Sequence, residues 1–295
     1  MAADWPNYNE ALVKRGEILL DLNLIHTWGE ELEEMNQGKE GARYRYPDDF
    51  INLQGLLRAL FRLPYRQLEG FTRALAQWEP MLRAPDYSTS CRRVNKLNIA
   101  LEPHMDPGRP VTIAVDASGV KVADRGEWMR AKWRRRSGFL KIHIAVDVET
   151  RQIVSMEVTD ERTGDGGLLV PLVEQARRRC NVVRVLGDGA YDSRLNFQYL
   201  DAKGIEAGIR VRRNSSRRAR GCHAQKRVVL EQLGDPEGWR RRVGYGRRWM
   251  AETAFSVIKR VFGEYVMARS FPNMVGEMLL KAFLYNLFMS LNPCV

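Results

Sequence analysis

The sequence predicts a mixed α/β fold: a helical N-terminal domain over residues 1–105, then an α+β domain over 106–295. Three observations carry that expectation. Apolar residues recur at helical spacing in the first third of the chain, short apolar runs of strand length take over from Val111, and the Pro- and Gly-bearing "EPHMDPGRP" separates the two patterns. At 295 residues the chain is long enough for one large domain or two ordinary ones with a sizeable core.

In chain order, residues 9–35 read as one helix or two, and the acidic "EELEEMNQGKEG" as a solvated exit. A second helical block begins at "YPDDF" and runs through "INLQGLLRALFRLPYRQLEGFTRAL", broken at Pro64. "YSTSCRRVNKLNIAL" gives a further helix with Ser88 or Thr89 as its N-cap. With Arg92, Arg93 and Lys96 it resembles the second helix of a helix-turn-helix, a weak signal in any small helical domain. The period then changes. "VTIAVDASG" reads as a buried strand ending at Asp116, and "GFLKIHIAVDVET" with "QIVSMEV" as a hairpin turning near Glu149–Arg151. "GGLLVPLVEQARRR" is a helix, "NVVRVLGDG" a buried strand ending at Asp188, "SRLNFQYLDAKG" a helix stopped at Gly204, and "IEAGIRV" another strand. Three strands in a meander followed by βαβ units is the connectivity of a ribonuclease-H-like core, which calls for a mixed sheet. "RVRRNSSRRARG" reads as an arm, with basic character over about 210–242; "YGRRWMAETAFSVIK" reads as an amphipathic helix, and the aromatic stripe of "FLYNLFMSL" as core.

Composition narrows the function. No secretory signal is visible in "MAADWPNYNEAL", and the most apolar run, "MLLKAFLYNLFMSL", is too short for a membrane span and contains Lys281 and Asn286. The cysteines Cys91, Cys180, Cys222 and Cys294 lack CxxC spacing, which argues against structural zinc and a disulfide framework and for a reducing cytoplasm. The net charge of +11 is unevenly spread. Residues 1–50 hold 5 Lys/Arg against 11 Asp/Glu, whereas residues 210–248 hold 13 against 3. Clustered cations at this density are the footprint of a polyanionic partner with a phosphate backbone.

The helix at Tyr245–Lys259 raises the central question. At about 100° per residue, Tyr245, Arg248, Glu252 and Lys259 fall in one stripe about 60° wide, with Met250, Ala254, Val257, Ile258 and Val261 opposite as a core-facing stripe. Arg248 and Glu252 alone are an ordinary i,i+4 ion pair. Asp116 alone is a strand-end turn residue, and Asp188 in "GDG" a turn signal. In a mixed sheet whose first and fourth strands are neighbours, however, the two aspartates lie side by side at the C-terminal edge. A late helix packed beside that edge brings Glu252 alongside. Three such carboxylates repel one another unless a cation lies between them. Oxygen-only ligation favours Mg²⁺ or Mn²⁺, and two such ions activate water and stabilise the leaving oxygen of a phosphodiester.

These residues resemble a known family. Asp116 in "AVDASG", Asp188 in "GDGAYDS" and the series Tyr245, Arg248, Glu252, Lys259 (Y-x2-R-x3-E-x6-K) are similar to the DDE transposases of bacterial and archaeal insertion sequences. The series matches the group that includes the fourth and fifth numbered insertion-sequence families. "LPYRQLEGF" and "WRRRSGFLKIHIAVD" are similar to the group typified by the fifth, over residues from about 46 to 290. The resemblance implies a ribonuclease-H-like core, Mg²⁺-dependent cleavage at transposon ends and strand transfer by the freed 3′-hydroxyl. It implies terminal inverted repeats and target DNA as partners, with a homodimer pairing two ends. It also implies a prokaryotic, nucleoid-associated setting and makes the N-terminal domain the end-binding element. Asp116, Asp188 and Glu252 are then catalytic metal ligands, and Tyr245, Arg248 and Lys259 contact DNA. Some relatives carry a large β-rich insertion between the second Asp and the Glu, but here only 63 residues intervene.

Further DNA contacts are expected from Arg134, Arg135 and Arg136, in the tryptophan- and arginine-rich "EWMRAKWRRRSG", and from Arg212, Arg213, Arg217 and Arg218 of the arm. Asp192, four residues after Asp188, is a candidate substitute ligand but is assigned to capping the following helix at Ser193. Asp147 is assigned to the hairpin turn and His143 to a structural position. Two rivals remain at this level: a nuclease of the same fold that cuts without joining, and a domesticated DNA-binding protein.

Overall fold

The computed structural model describes residues 5–17, 24–79, 81–101, 103, 106, 108–123, 138–217 and 221–291. The chain divides into two compact units. The first gathers the described residues within Met1–Ala100, Val261–Gly263 and Met267–Cys294; the second holds those within Leu101–Arg260 and Glu264–Val266.

The first unit is helical: α1 (Trp5–Glu17), α2 (Leu24–Asn36), α3 (Asp48–Phe61), α4 (Tyr65–Trp78), α5 (Tyr87–Val94) and a late helix, Phe271–Ser290. Trp28, Phe50, Leu53, Leu57, Leu68 and Leu82 form its apolar core. Pro64 caps α4, since a residue without an N–H is tolerated where a helix starts. Asp86, not Ser88 or Thr89, caps α5, accepting from the Ser88 and Thr89 N–H groups. A carboxylate two and three residues ahead of the free donors reaches both at once. Within the late helix, buried Glu277 pairs with Arg58 and Lys281 and accepts the N–H groups of Met267 and Ala268.

The second unit is built on a mixed sheet of β1 (Pro110–Val122), β2 (Phe139–Asp147), β3 (Ile153–Asp160), β4 (Asn181–Gly187) and β5 (Glu206–Ile209), ordered β3-β2-β1-β4-β5. β1–β2 and β2–β3 are antiparallel, β1–β4 and β4–β5 parallel. This is the ribonuclease-H-like arrangement expected from the sequence. A two-residue β6 (Tyr265–Val266), not legible in the sequence, pairs with the far end of β1. The helices are α6 (Leu169–Arg177), α7 (Arg194–Ala202), α8 (His223–Gly234), α9 (Pro236–Val243) and α10 (Trp249–Phe262), which runs on into the first unit; the late helix is α11. Val111, Ile113 and Val115 of β1 pack with Leu169, Leu172 and Val173 of α6 and Phe197 and Leu200 of α7.

Three elements differ from expectation. β1 does not end at Asp116 but runs to Val122, because β2 stays paired with it as far as Lys121 opposite Phe139. The basic stretch at 210–242 is an extended arm only in part: α8 and α9 lie within it and bury Val228, Val229, Trp239 and Val243. Its arginines masked that apolar spacing. The helix at Tyr245–Lys259 begins as a 3₁₀ turn, Tyr245–Arg248, before α10 proper. Its buried stripe is Ala251, Ala254, Phe255, Ile258 and Phe262, while Met250, Val257 and Val261 are only partly covered. That stripe is turned roughly 70° from the one expected at a uniform 100° per residue. Glu252 and Lys259 therefore flank the core-facing side rather than opposing it. Among the described residues no helix is long and apolar enough to cross a membrane.

Candidate active site

Asp116 is fixed by strand parity. Val111, Ile113 and Val115 face the apolar core, so Thr112, Ala114, Asp116 and Ser118 share the other face. The parallel ladder with β4 runs to Ala114 opposite Leu186. Two residues further along each chain stand Asp116 and Asp188. Asp188 follows β4 directly and caps a short 3₁₀ turn, Gly189–Tyr191, its Oδ1 accepting the Ala190 N–H at 2.9 Å. A second turn, Asp165–Leu168, lies against this one so closely that a Cβ on Gly166 would sit 2.8 Å from the Ala190 carbonyl oxygen. The buried Asn196 side chain ties both turns, donating to the carbonyls of Gly166 and Tyr191 at 2.9 Å each. Asp188 is thus carried on rigid backbone.

Glu252 is held differently. It sits in the first turn of α10, with its side chain 54% exposed, and pairs with Arg248 one helical turn earlier. Arg248 is 22% exposed, and its other terminal nitrogen, Nη1, lies 3.7 Å from Asp116 Oδ2. One guanidinium therefore bridges two carboxylates. Burial pushes the Asp116 carboxyl above its ordinary range; the Ala117 N–H and Arg248 pull it back, and the charges of Asp188 and Glu252 push it further up. Burial opposes the charge on Arg248, yet Glu252, Tyr245 and Asp116 hold its pKa above the ordinary value. The negative field extends to the buried Tyr191 phenol, raised first by burial and then by Asp165, Asp116 and Asp188.

Lys259 reaches the same face of β1 from the last turn of α10, donating to Ser118 Oγ at 2.7 Å. Ser118 is two residues beyond Asp116, so the ammonium stands beside the acidic group. Tyr245 is half-buried against Trp239, ring centroids 5.1 Å apart. Trp249, half exposed directly after Arg248, was not singled out by the sequence.

The donor set is oxygen-only and concentrates negative charge, which suits hard divalent cations. Among the described residues no three His, Cys, Asp or Glu side chains form a ready-made coordination shell, and Arg248 draws Glu252 towards itself.

Several other expectations meet the structure here. Asp147, fully buried, accepts from the Glu149 and Thr150 N–H groups and pairs with Arg109, so it does organise the hairpin turn. His143 is buried, 3.0 Å from Thr159 Oγ1, and burial lowers its pKa. Asp192 does not cap α7; Ser193 does, accepting the Asn196 N–H. Asp192 is instead buried and bonded to residues 20 to 33 positions later in the chain. Arg212 donates through Nε to the Gly189 carbonyl at 2.9 Å, beside Asp188, while Arg213 and Arg217 are exposed. Arg134, Arg135, Arg136 and Arg218 lie outside the described residues.

A family model described as "Transposase DDE domain" matches residues 107–287, well over half of the chain, and a second with the same description matches 13–125. The chain belongs to the DDE transposase family. It is a DNA transposase, and transposases of this family generally use divalent metal ions. This transposase is similar to several solved structures. A piggyBac transposase synaptic complex with hairpin DNA is 13% identical at a TM-score of 0.41, covering 94% of this chain and 74% of that one. The Drosophila P element transposase strand transfer complex is 13% identical at 0.33, covering 64% and 43%. The Mos1 strand transfer complex is 10% identical at 0.25, covering 73% and 78%.

Proposed function

We propose that this transposase cuts DNA at the terminal inverted repeats of its own prokaryotic insertion sequence and joins the freed ends to target DNA. Within the family we assign it to the group typified by the fifth numbered insertion-sequence family, acting on the nucleoid as a homodimer that pairs two ends. The observation that carries the site assignment is geometric: Arg248 pairs with both Asp116 and Glu252, while Asp116 and Asp188 each lie two residues past the last rung of the β1–β4 ladder, so acids far apart in sequence share one place.

Asp116, Asp188 and Glu252 are the residues that would hold the ions, two Mg²⁺ with Mn²⁺ as substitute. Bound there, the ions supply Lewis-acid charge that favours deprotonation of an attacking oxygen and neutralises the leaving one. The chain's own residues orient the DNA. Arg248, released from its carboxylate partners, offers a planar pair of donors to a phosphate, and Lys259 a point charge to a neighbouring one. Tyr245 contacts a sugar, phosphate or unstacked base. Arg212, Arg213, Arg217 and Arg218 grip the backbone, as do Arg134, Arg135 and Arg136. Water attacks the scissile phosphorus and gives a proton to solvent, and the 3′-oxygen, as its bond to phosphorus breaks, takes a proton from solvent and leaves as a hydroxyl. That hydroxyl then loses its proton to solvent as it attacks a target phosphorus and displaces a target 3′-oxygen, which is protonated from solvent in turn, with no covalent protein intermediate. The N-terminal domain, residues 1–105, would recognise the transposon end.

The test is Asp188→Asn. End-DNA binding should persist while Mg²⁺-dependent nicking disappears; retained nicking removes the catalytic assignment. Strand transfer from pre-cleaved ends then separates a transposase from a nuclease that only cuts.

A further inference from the structure

Asp192 is a buried carboxylate that the reaction just described does not use. Its side chain collects donors from two distant segments. Oδ2 accepts the Arg212 N–H at 2.8 Å and the Ser215 hydroxyl at 2.9 Å, while Oδ1 accepts Gln225 Nε2 of α8 at 2.7 Å. The circuit closes on the metal-holding turn, because Arg212 Nε donates to the Gly189 carbonyl at 2.9 Å. Asp192 itself directly follows that turn and caps its C-terminal end, its N–H bonded to the same Gly189 carbonyl. With the residue only 7% exposed, its oxygens point at protein donors rather than into the site.

We propose that Asp192 is a positioning residue that fastens the arginine-bearing segment 210–217 to the turn carrying Asp188. The phosphate grip of the arm and the carboxylate that would hold metal then stay in register. This rests on the reading of Asp188 as a metal ligand and of the arm as a DNA contact. A buried acceptor with three donors cannot be deleted without leaving those donors unpaired, so loss of the side chain frees both arm and turn.

The chemistry of the latch dictates the test. Asp192→Ala removes every acceptor. Asp192→Asn keeps one oxygen for Arg212 and Ser215, and its new amide NH₂ faces Gln225, whose own amide can flip to offer its oxygen. The latch thus survives without its charge. In the full chain, Asp192→Ala should raise the Mn²⁺ concentration for half-maximal end nicking about tenfold, the usual scale for loss of a residue supporting a metal ligand. Mn²⁺ binding to the DNA-free protein, followed by the spectroscopic signal of free Mn²⁺, should weaken in parallel. Trypsin should cut faster after Arg212, Arg213 and Arg217. Asp192→Asn should stay near wild type in all three.

If both variants abolish Mn²⁺ binding, Asp192 is a ligand and the proposal falls. It also falls if Asp192→Ala lowers only the melting temperature and leaves the Mn²⁺ midpoint and arm cleavage unchanged. Should Asp192→Ala fail to fold, Ser215→Ala and Gln225→Ala each remove one donor, and smaller shifts of the same midpoint are expected; no shift in either overturns the idea. Undiminished nicking by Asp188→Asn would instead overturn the active-site reading, leaving the trypsin result to stand by itself.

Discussion

The two halves of the acidic site are built to different standards. Asp116 stands on β1 and Asp188 directly after the neighbouring β4, each two residues beyond the last rung of the ladder between them, and Asp188 is further braced by two interlocked turns. Glu252 stands on a helix, half in solvent, and its orientation follows a single arginine. The pair at the sheet edge is preorganised, and the helix-borne acid is adjustable. Catalysis needs both qualities, since a fixed frame lowers reorganisation cost and a movable ligand lets the site accept its charge.

Removing a member of the rigid pair should have the largest effect. Asp188→Asn should lower nicking by on the order of 10³-fold in a gel assay while leaving the melting temperature nearly unchanged. Next comes Gly166→Ala, which adds a Cβ 2.8 Å from the Ala190 carbonyl and must displace one turn. Overpacking of this kind costs about 1–3 kcal/mol in denaturant unfolding. The shifted carboxylate should also slow nicking about tenfold to a hundredfold, although Gly166 carries no side chain that could take part in the chemistry. Glu252→Gln tests the adjustable half. Nicking should be lost, yet unfolding free energy should move by no more than about 1 kcal/mol, because the ion pair it breaks is exposed on the glutamate side.

Smaller effects sharpen the picture. Lys259→Met should reduce the salt slope of end-DNA binding by about one, whereas Ser118→Ala, which only frees the lysine, should leave the slope intact. Asp116 supplies a pH test. Its folded pKa is raised, chiefly by burial, so it favours the metal-free fold at acid pH. That contribution is complete below the ordinary carboxylate value and is lost as pH rises through the elevated one. Asp116→Asn should therefore melt higher than wild type at pH 7.5 in chelator, and the gap should close as pH falls through the carboxylate range. An unchanged gap would show that the carboxyl carries no such burden.

The legibility of the molecule follows the range of its interactions. The strands were readable because both faces of β1 are covered, so Val111–Val115 stands out as a short, almost continuous apolar run. The span of β1 was not, because its last residues are held by β2 and by β6, and β6 lies more than 140 residues away in sequence. The expected helix at Tyr245 missed the 3₁₀ turn because a spacing of three and four fits both geometries over four residues. Asp192 was misassigned for a related reason: a cap next door is a local pattern, but its true partners, Arg212, Ser215 and Gln225, are found only after the chain has folded back. Trp239 and Val243 hid among arginines.

The parallel ladder stops at Ala114 and Leu186, and among the described residues β1 meets no further strand on that side until β6 at Lys121. Such a stop makes the enzyme sensitive to arithmetic rather than to chemistry. Inserting or deleting a single residue between Val111 and Asp116 would reverse parity and swing the acid into the greasy interior, even with every functional group still encoded. Length in that short segment should be far less negotiable than identity.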